Sequence, residues 1–69
     1  MRQLEDELRA TVQALEAFQA RLSVREHAFI IRVAANASAA LGEGDTLRIE
    51  RSLDEMNDAS AILARAGDR

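Results

Sequence analysis

Five residue types are missing from this chain of 69 residues, which has no cysteine, proline, tryptophan, tyrosine or lysine. Without cysteine there is neither a disulfide framework nor a thiolate metal site. Because proline interrupts helices, its absence favours long, unbroken ones. The absence of cysteine leaves the redox compartment open, and the cytoplasm is the expected location.

Acidic residues outnumber basic ones, and long apolar runs are also missing. The net charge is -3, all nine basic residues are arginine, and phenylalanine is the only aromatic residue. Nucleic acids reward a basic face with stacking aromatics, so we expect no nucleic-acid partner. Residues 1–22 are too charged for a signal peptide, and no apolar run approaches the ~20 residues that span a bilayer. We therefore expect no membrane association.

What the chain does contain is helical periodicity, which begins at once. The pattern predicts a first helix over residues 2–22, because its apolar positions recur at alternating steps of three and four. Val12 lies beside this seam and widens it. The helix belongs either to a bundle or to a coiled coil that pairs with a partner or with itself. The seam consists of Met1, Leu4, Leu8, Thr11, Leu15, Phe18 and Leu22.

A second helix is predicted over residues 24–41. Ser23 and Glu26 have the spacing of a capping box, which starts a helix. The many alanines in its second half favour close packing, so we expect this helix to be central. Phe29 falls on the polar face with Val33 to one side, and the pair could anchor another chain or domain. The predicted core face comprises His27, Ile30, Ile31, Ala34, Ala37, Ser38 and Leu41.

Residues 42–45 predict a turn into a third helix over residues 46–66. Glycine tolerates the left-handed backbone that ends a helix, and Asp45 can cap the next one. Gly67 is expected to stop the third helix, leaving Asp68 and Arg69 frayed. The predicted seam of this helix is Ile49, Leu53, Met56, Ser60 and Leu63.

These elements predict an all-α fold, an antiparallel three-helix bundle in a single domain covering residues 1–69. Connections this short make successive helices antiparallel neighbours. Little chemistry accompanies the fold, because His27 is the one histidine and no nucleophile or acid is placed to work with it. We expect no enzyme activity, no catalytic or metal site, and no cofactor.

Residues 22–66 resemble the C-terminal helical lid of seventy-kilodalton heat-shock chaperones of the DnaK/HscA type. The resemblance rests on the capping box, an alanine-rich helix, the Gly44-Asp45 turn, and a helix that opens on Ile49-Glu50. It implies that the chain is a fragment of a larger chaperone, in which the lid modulates how long an unfolded peptide stays bound. Other domains of that chaperone would then be its partners.

The alternative is a free-standing module for protein–protein interaction or dimerisation that uses the seam of residues 1–22 and binds a helical partner. If the chain is an excised lid, removing the neighbouring domains exposes apolar surface, and weak self-association is expected. The predicted interaction surface comprises Phe29, Val33, Leu4, Leu8 and Leu15.

Overall fold

The computed structural model describes residues 2–69, so Met1 of the predicted seam lies outside the described residues. Three α-helices pack against one another: α1 is Arg2–Phe18, α2 is Val24–Glu43 and α3 is Thr46–Asp68. Successive helices run antiparallel, which leaves α1 and α3 parallel. The predicted all-α three-helix bundle is thereby confirmed.

The first helix is shorter than predicted. Its α-helical part ends at Phe18, and a 3-10 helix, Gln19–Arg21, replaces the expected last turn. The Leu22 N–H donates to the Gln19 carbonyl at 3.3 Å, and Leu22 itself is extended. A 3-10 turn is a common way to satisfy the last carbonyls of a helix.

The capping box predicted at the start of α2 is present in both directions. The Ser23 N–H donates to Glu26 Oε1 at 2.9 Å, and the Glu26 N–H donates to Ser23 Oγ at 3.1 Å. This reciprocal pair satisfies two amides that the first turn of a helix cannot pair internally. The boundary between the first two helices therefore follows from local sequence alone.

The turn between α2 and α3 is tighter than predicted, because α2 continues through Glu43. Gly44 is the only described residue with a left-handed backbone, at φ 68°, and its N–H donates to the Ala40 carbonyl at 3.0 Å. Asp45 Oδ1 accepts from the N–H groups of Leu47 and Arg48 at 3.1 and 3.4 Å. The expected glycine stop and aspartate cap are both formed.

The end of α3 contradicts the prediction. Gly67 does not stop the helix, which includes Asp68. Arg69 is not frayed, because its guanidinium donates to both carboxylate oxygens of Glu26 and to the Arg21 carbonyl, each at 2.9 Å. Arg21 in turn donates to the Gly67 carbonyl at 3.0 Å. Contacts to residues more than forty positions earlier hold this end in place.

The core lies along the common axis of the three helices. Packing is most extensive around α3, so the expectation that α2 would be central is wrong. Ser60 of the predicted α3 seam is exposed, whereas Ser52 and Thr11 are buried. The core cluster comprises Leu4, Ile30, Val33, Ala37, Ala40, Ile49, Met56, Ala59 and Leu63.

Candidate interaction surface

The five residues predicted for an interaction surface separate into three environments. Leu4 and Val33 belong to the core, where Val33 is only 1% exposed. Phe29 is half-buried against the core, and the Arg32 guanidinium lies 6.0 Å from the centroid of its ring. Leu8 and Leu15 are half-buried at the edge of α1. In this fold no member of the set is fully exposed, and Leu8, Leu15 and Phe29 are the three that remain partly accessible.

The predicted core face of α2 is wrong by part of a turn. Ile30 and Val33 point into the core, whereas Ile31 is 47% exposed and Ser38 is exposed. Two apolar stripes run along α2, and a helical wheel does not say which of them meets the other helices. In the folded chain, Val33 belongs to the core cluster with residues of α1 and α3. The second stripe is left at the surface.

The surface stripe of α2 lies on the same side of the bundle as the outer edge of α1. One depression shows which faces of the two helices adjoin. It is lined by Gln19 and Leu22, which follow α1, and by Val24 and His27 of α2. Val12 lies two turns before Gln19, and Ile31 lies one turn after His27, so both extend that face. We call this surface the α1/α2 face and define it by Leu8, Val12, Leu15, Ile31 and Ala34.

The α1/α2 face is apolar and incompletely covered. Val12 is 39% exposed, and Leu8, Leu15 and Ala34 are half-buried. Of the three helix pairs, α1 and α2 pack least extensively. The sequence predicts Val12 beside the seam and Ile31 in the core. The missed signal is that both helices have apolar stripes wider than a three-helix core can bury.

Charge on this face comes from α1 alone. Glu5 is exposed and lies one heptad before Val12 on the same stripe. Arg9 and Glu16 are exposed, lie seven residues apart on one side of the leucine and valine positions, and have no ion-pair partner among the described side chains. The outer positions of α2 are exposed and uncharged over four turns. They are Val24, Ala28, Ile31, Ala35 and Ser38.

Two other concave regions differ in character. The cleft between α1 and α3 has a volume of about 290 Å³ and is walled largely by alanines and by Phe18. The depression between α2 and α3, about 180 Å³, is polar and contains Arg48 and Arg51. Arg48 is already ion-paired with Glu43. Neither region gathers the convergent polar groups that hold a small ligand.

The groups capable of acid–base chemistry are dispersed. His27 lines its depression with Ser23, whose hydroxyl already accepts from the Glu26 amide. The pKa of Glu26 is lowered from 4.5 to about 2, chiefly by the hydrogen bonds from Arg69 and then by the Ser23 amide. Within residues 2–69 there is no group of three or more metal-ligating side chains. The Glu26 carboxylate therefore links the first turn of α2 to the end of α3.

Comparison of the chain with protein-family models, curated proteins and solved structures finds no match. None of the described helices is both long enough and apolar enough to cross a membrane.

Proposed function

We propose that this bundle is a helical protein–protein interaction module and that the α1/α2 face is its binding surface. The observation that carries the proposal is the exposure of Val12 and Ile31 on one side of the molecule, with Leu8 and Leu15 half-buried between them. Apolar side chains that gather where two helices adjoin suit an incoming amphipathic helix.

Binding at this face would remove the exposed parts of these side chains from water. Full burial of a valine or isoleucine contributes about 1.5–3 kcal/mol, and these two are already half covered, so each contributes roughly half of that. After the cost of association, such a small surface supports weak, reversible binding. This is the behaviour of a module that exchanges partners.

The proposal is tested by photo-crosslinking in the source cells. The full chain carries p-benzoyl-phenylalanine in place of Val12 or Ile31, and the control carries it in place of the exposed Asp58 of α3. We expect positions 12 and 31, but not position 58, to give a discrete crosslinked species that mass spectrometry identifies. Equal labelling from all three positions, or none, would overturn the proposed surface.

The chaperone lid is the second candidate function. It is supported by the resemblance of residues 22–66 together with the formation of both turns on which that resemblance depends, the capping box and the Gly44-Asp45 turn. A lid would act by shifting between docked and undocked positions on neighbouring domains. Blotting of source cells with an antibody to this chain tests the idea. A band several times heavier than 7.6 kDa is expected for a lid, and a band at that mass would remove the domains it needs.

A further inference from the structure

We infer that the partner at the α1/α2 face is a second copy of this chain, whose α1 lies antiparallel to the first α1 about a two-fold axis beside Val12. The inference rests on the proposed function and adds the identity of the occupant. It follows from how apolar and charged residues alternate along the exposed edge of α1.

The apolar positions on this edge have the spacing of a coiled-coil seam. Leu8, Val12 and Leu15 are separated by four and then three residues, as at successive core positions of a heptad repeat. In an antiparallel pair, Val12 of each copy lies level with Leu15 of the other. Two-fold symmetry forms this contact twice, so one short stripe supplies both sides of the interface.

The charges beside this stripe select the antiparallel arrangement. Arg9 and Glu16 occupy equivalent positions one heptad apart, on the side of the seam that flanks the partner helix. Antiparallel pairing brings Arg9 of each copy beside Glu16 of the other and forms two opposite-charge pairs. Parallel pairing would place arginine level with arginine and glutamate level with glutamate.

The neighbouring α2 forms the other side of the interface, and its outer positions there are uncharged. Ile31 contributes apolar area, and Ala28 and Ala35 on either side of it are small and exposed. The incoming α1 can therefore approach α2 closely, and no unpaired charge has to be desolvated on this side. The α1/α3 cleft has no such charge pattern, so the same argument does not extend to it.

Charge reversal tests this arrangement with variants at exposed positions that leave the core intact. Sedimentation equilibrium of the full chain up to about 1 mM should give a mass approaching twice 7.6 kDa at low salt. Arg9→Glu or Glu16→Arg turns two attractive pairs into two repulsive ones, and each should raise the dimer Kd about tenfold. The double variant R9E/E16R should return the Kd to within about threefold of wild type, because it restores both pairs with their signs exchanged.

The matched control uses Asp58 and Arg65, which are also exposed and seven residues apart, on α3. Asp58→Arg and Arg65→Glu should leave the Kd within about twofold, since charges away from the interface contribute little. A chain that stays monomeric up to about 1 mM, a double variant as weak as either single one, or equal effects at both helices would each overturn the inference. If the chain is monomeric but position 12 crosslinks a different protein, self-pairing fails while the interaction module stands. If position 12 crosslinks nothing, the module fails as well.

Discussion

The carboxylate of Glu26 and the guanidinium of Arg69 form a bidentate pair, with both N–O distances at 2.9 Å, between the first turn of α2 and the end of α3. The same carboxylate accepts from the Ser23 amide, so one side chain both caps α2 and fixes the last residue of the chain. Planar, two-point pairs of this kind have the geometry that arginine makes best with a carboxylate.

The lowered pKa of Glu26 makes part of the stability dependent on pH. A carboxyl with a pKa of about 2 in the folded chain, against 4.5 ordinarily, stabilises the fold above pH 4.5, and this contribution is lost as the pH falls through about 2. The variant Glu26→Gln lacks it at every pH. We expect its melting temperature to lie below that of wild type at pH 7 and the difference to close between pH 4.5 and pH 2.

Circular dichroism melts at several pH values measure this difference. The control is Glu50→Gln on α3, where the exposed carboxyl makes no hydrogen bond among the described residues. Its difference from wild type at pH 7 should be small, because this carboxyl has no hydrogen-bond partner to lose. A Glu26→Gln difference that does not change with pH would show that the pair with Arg69 does not stabilise the fold in solution.

Which of the two apolar stripes of α2 faces the core is tested by shortening one side chain in each stripe. Val33→Ala removes two methyl groups from a fully packed position and should cost about 2–3 kcal/mol of unfolding free energy. Ile31→Ala acts at a half-exposed position and should cost less than about 1 kcal/mol. Urea unfolding of both variants provides the comparison, and the reverse order of effects would restore the face predicted from the sequence.

The two turns could be predicted because their chemistry is local. Ser23 and Glu26 stand three residues apart, and Gly44 and Asp45 are adjacent, so each cap forms whatever the rest of the chain does. Hydrophobic periodicity likewise determines that three helices form. Together these signals account for the fold class and the helix boundaries to within a few residues.

The orientation of α2 and the end of α3 could not be predicted, because both depend on contacts between distant residues. Val33 and Ile31 are both apolar, and only the packing of the other helices decides which is buried. The sequence predicts that Arg69 is frayed, because its partner Glu26 lies 43 residues earlier and meets it only in the folded chain. The candidate surface was predicted in part, through Leu8 and Leu15. Val12 and Ile31 were missed for the same reason, since they belong to what the core leaves uncovered.

The capping box should contribute measurably to stability. Ser23→Ala removes the hydroxyl that accepts from the Glu26 amide and should lower the unfolding free energy by about 1 kcal/mol. Ser38→Ala is the matched control, an exposed serine in the middle of α2, and it should be neutral or slightly stabilising because alanine favours helix. Urea titrations followed at 222 nm give both values. Equal effects would mean that the cap adds nothing beyond helix propensity.

The three glycines should respond differently to alanine, because each occupies a different backbone and packing environment. Gly44→Ala forces a side chain into the left-handed region at φ 68° and should cost about 1–2 kcal/mol. Gly42→Ala lies in α2 with no neighbouring atom within 4 Å of the new Cβ, so it should stabilise the chain by about 1 kcal/mol through helix propensity.

Gly67→Ala adds the same propensity in α3, but its Cβ would lie 3.4 Å from the Phe18 ring, a contact at the close end of the ordinary range. We expect a gain no larger than that of Gly42→Ala, and the difference between the two measures how readily the half-buried ring shifts. Urea unfolding of the three variants supplies the values. A loss of stability in Gly67→Ala would show that Phe18 is held rigidly against α3, whereas a gain in Gly44→Ala would contradict the left-handed turn.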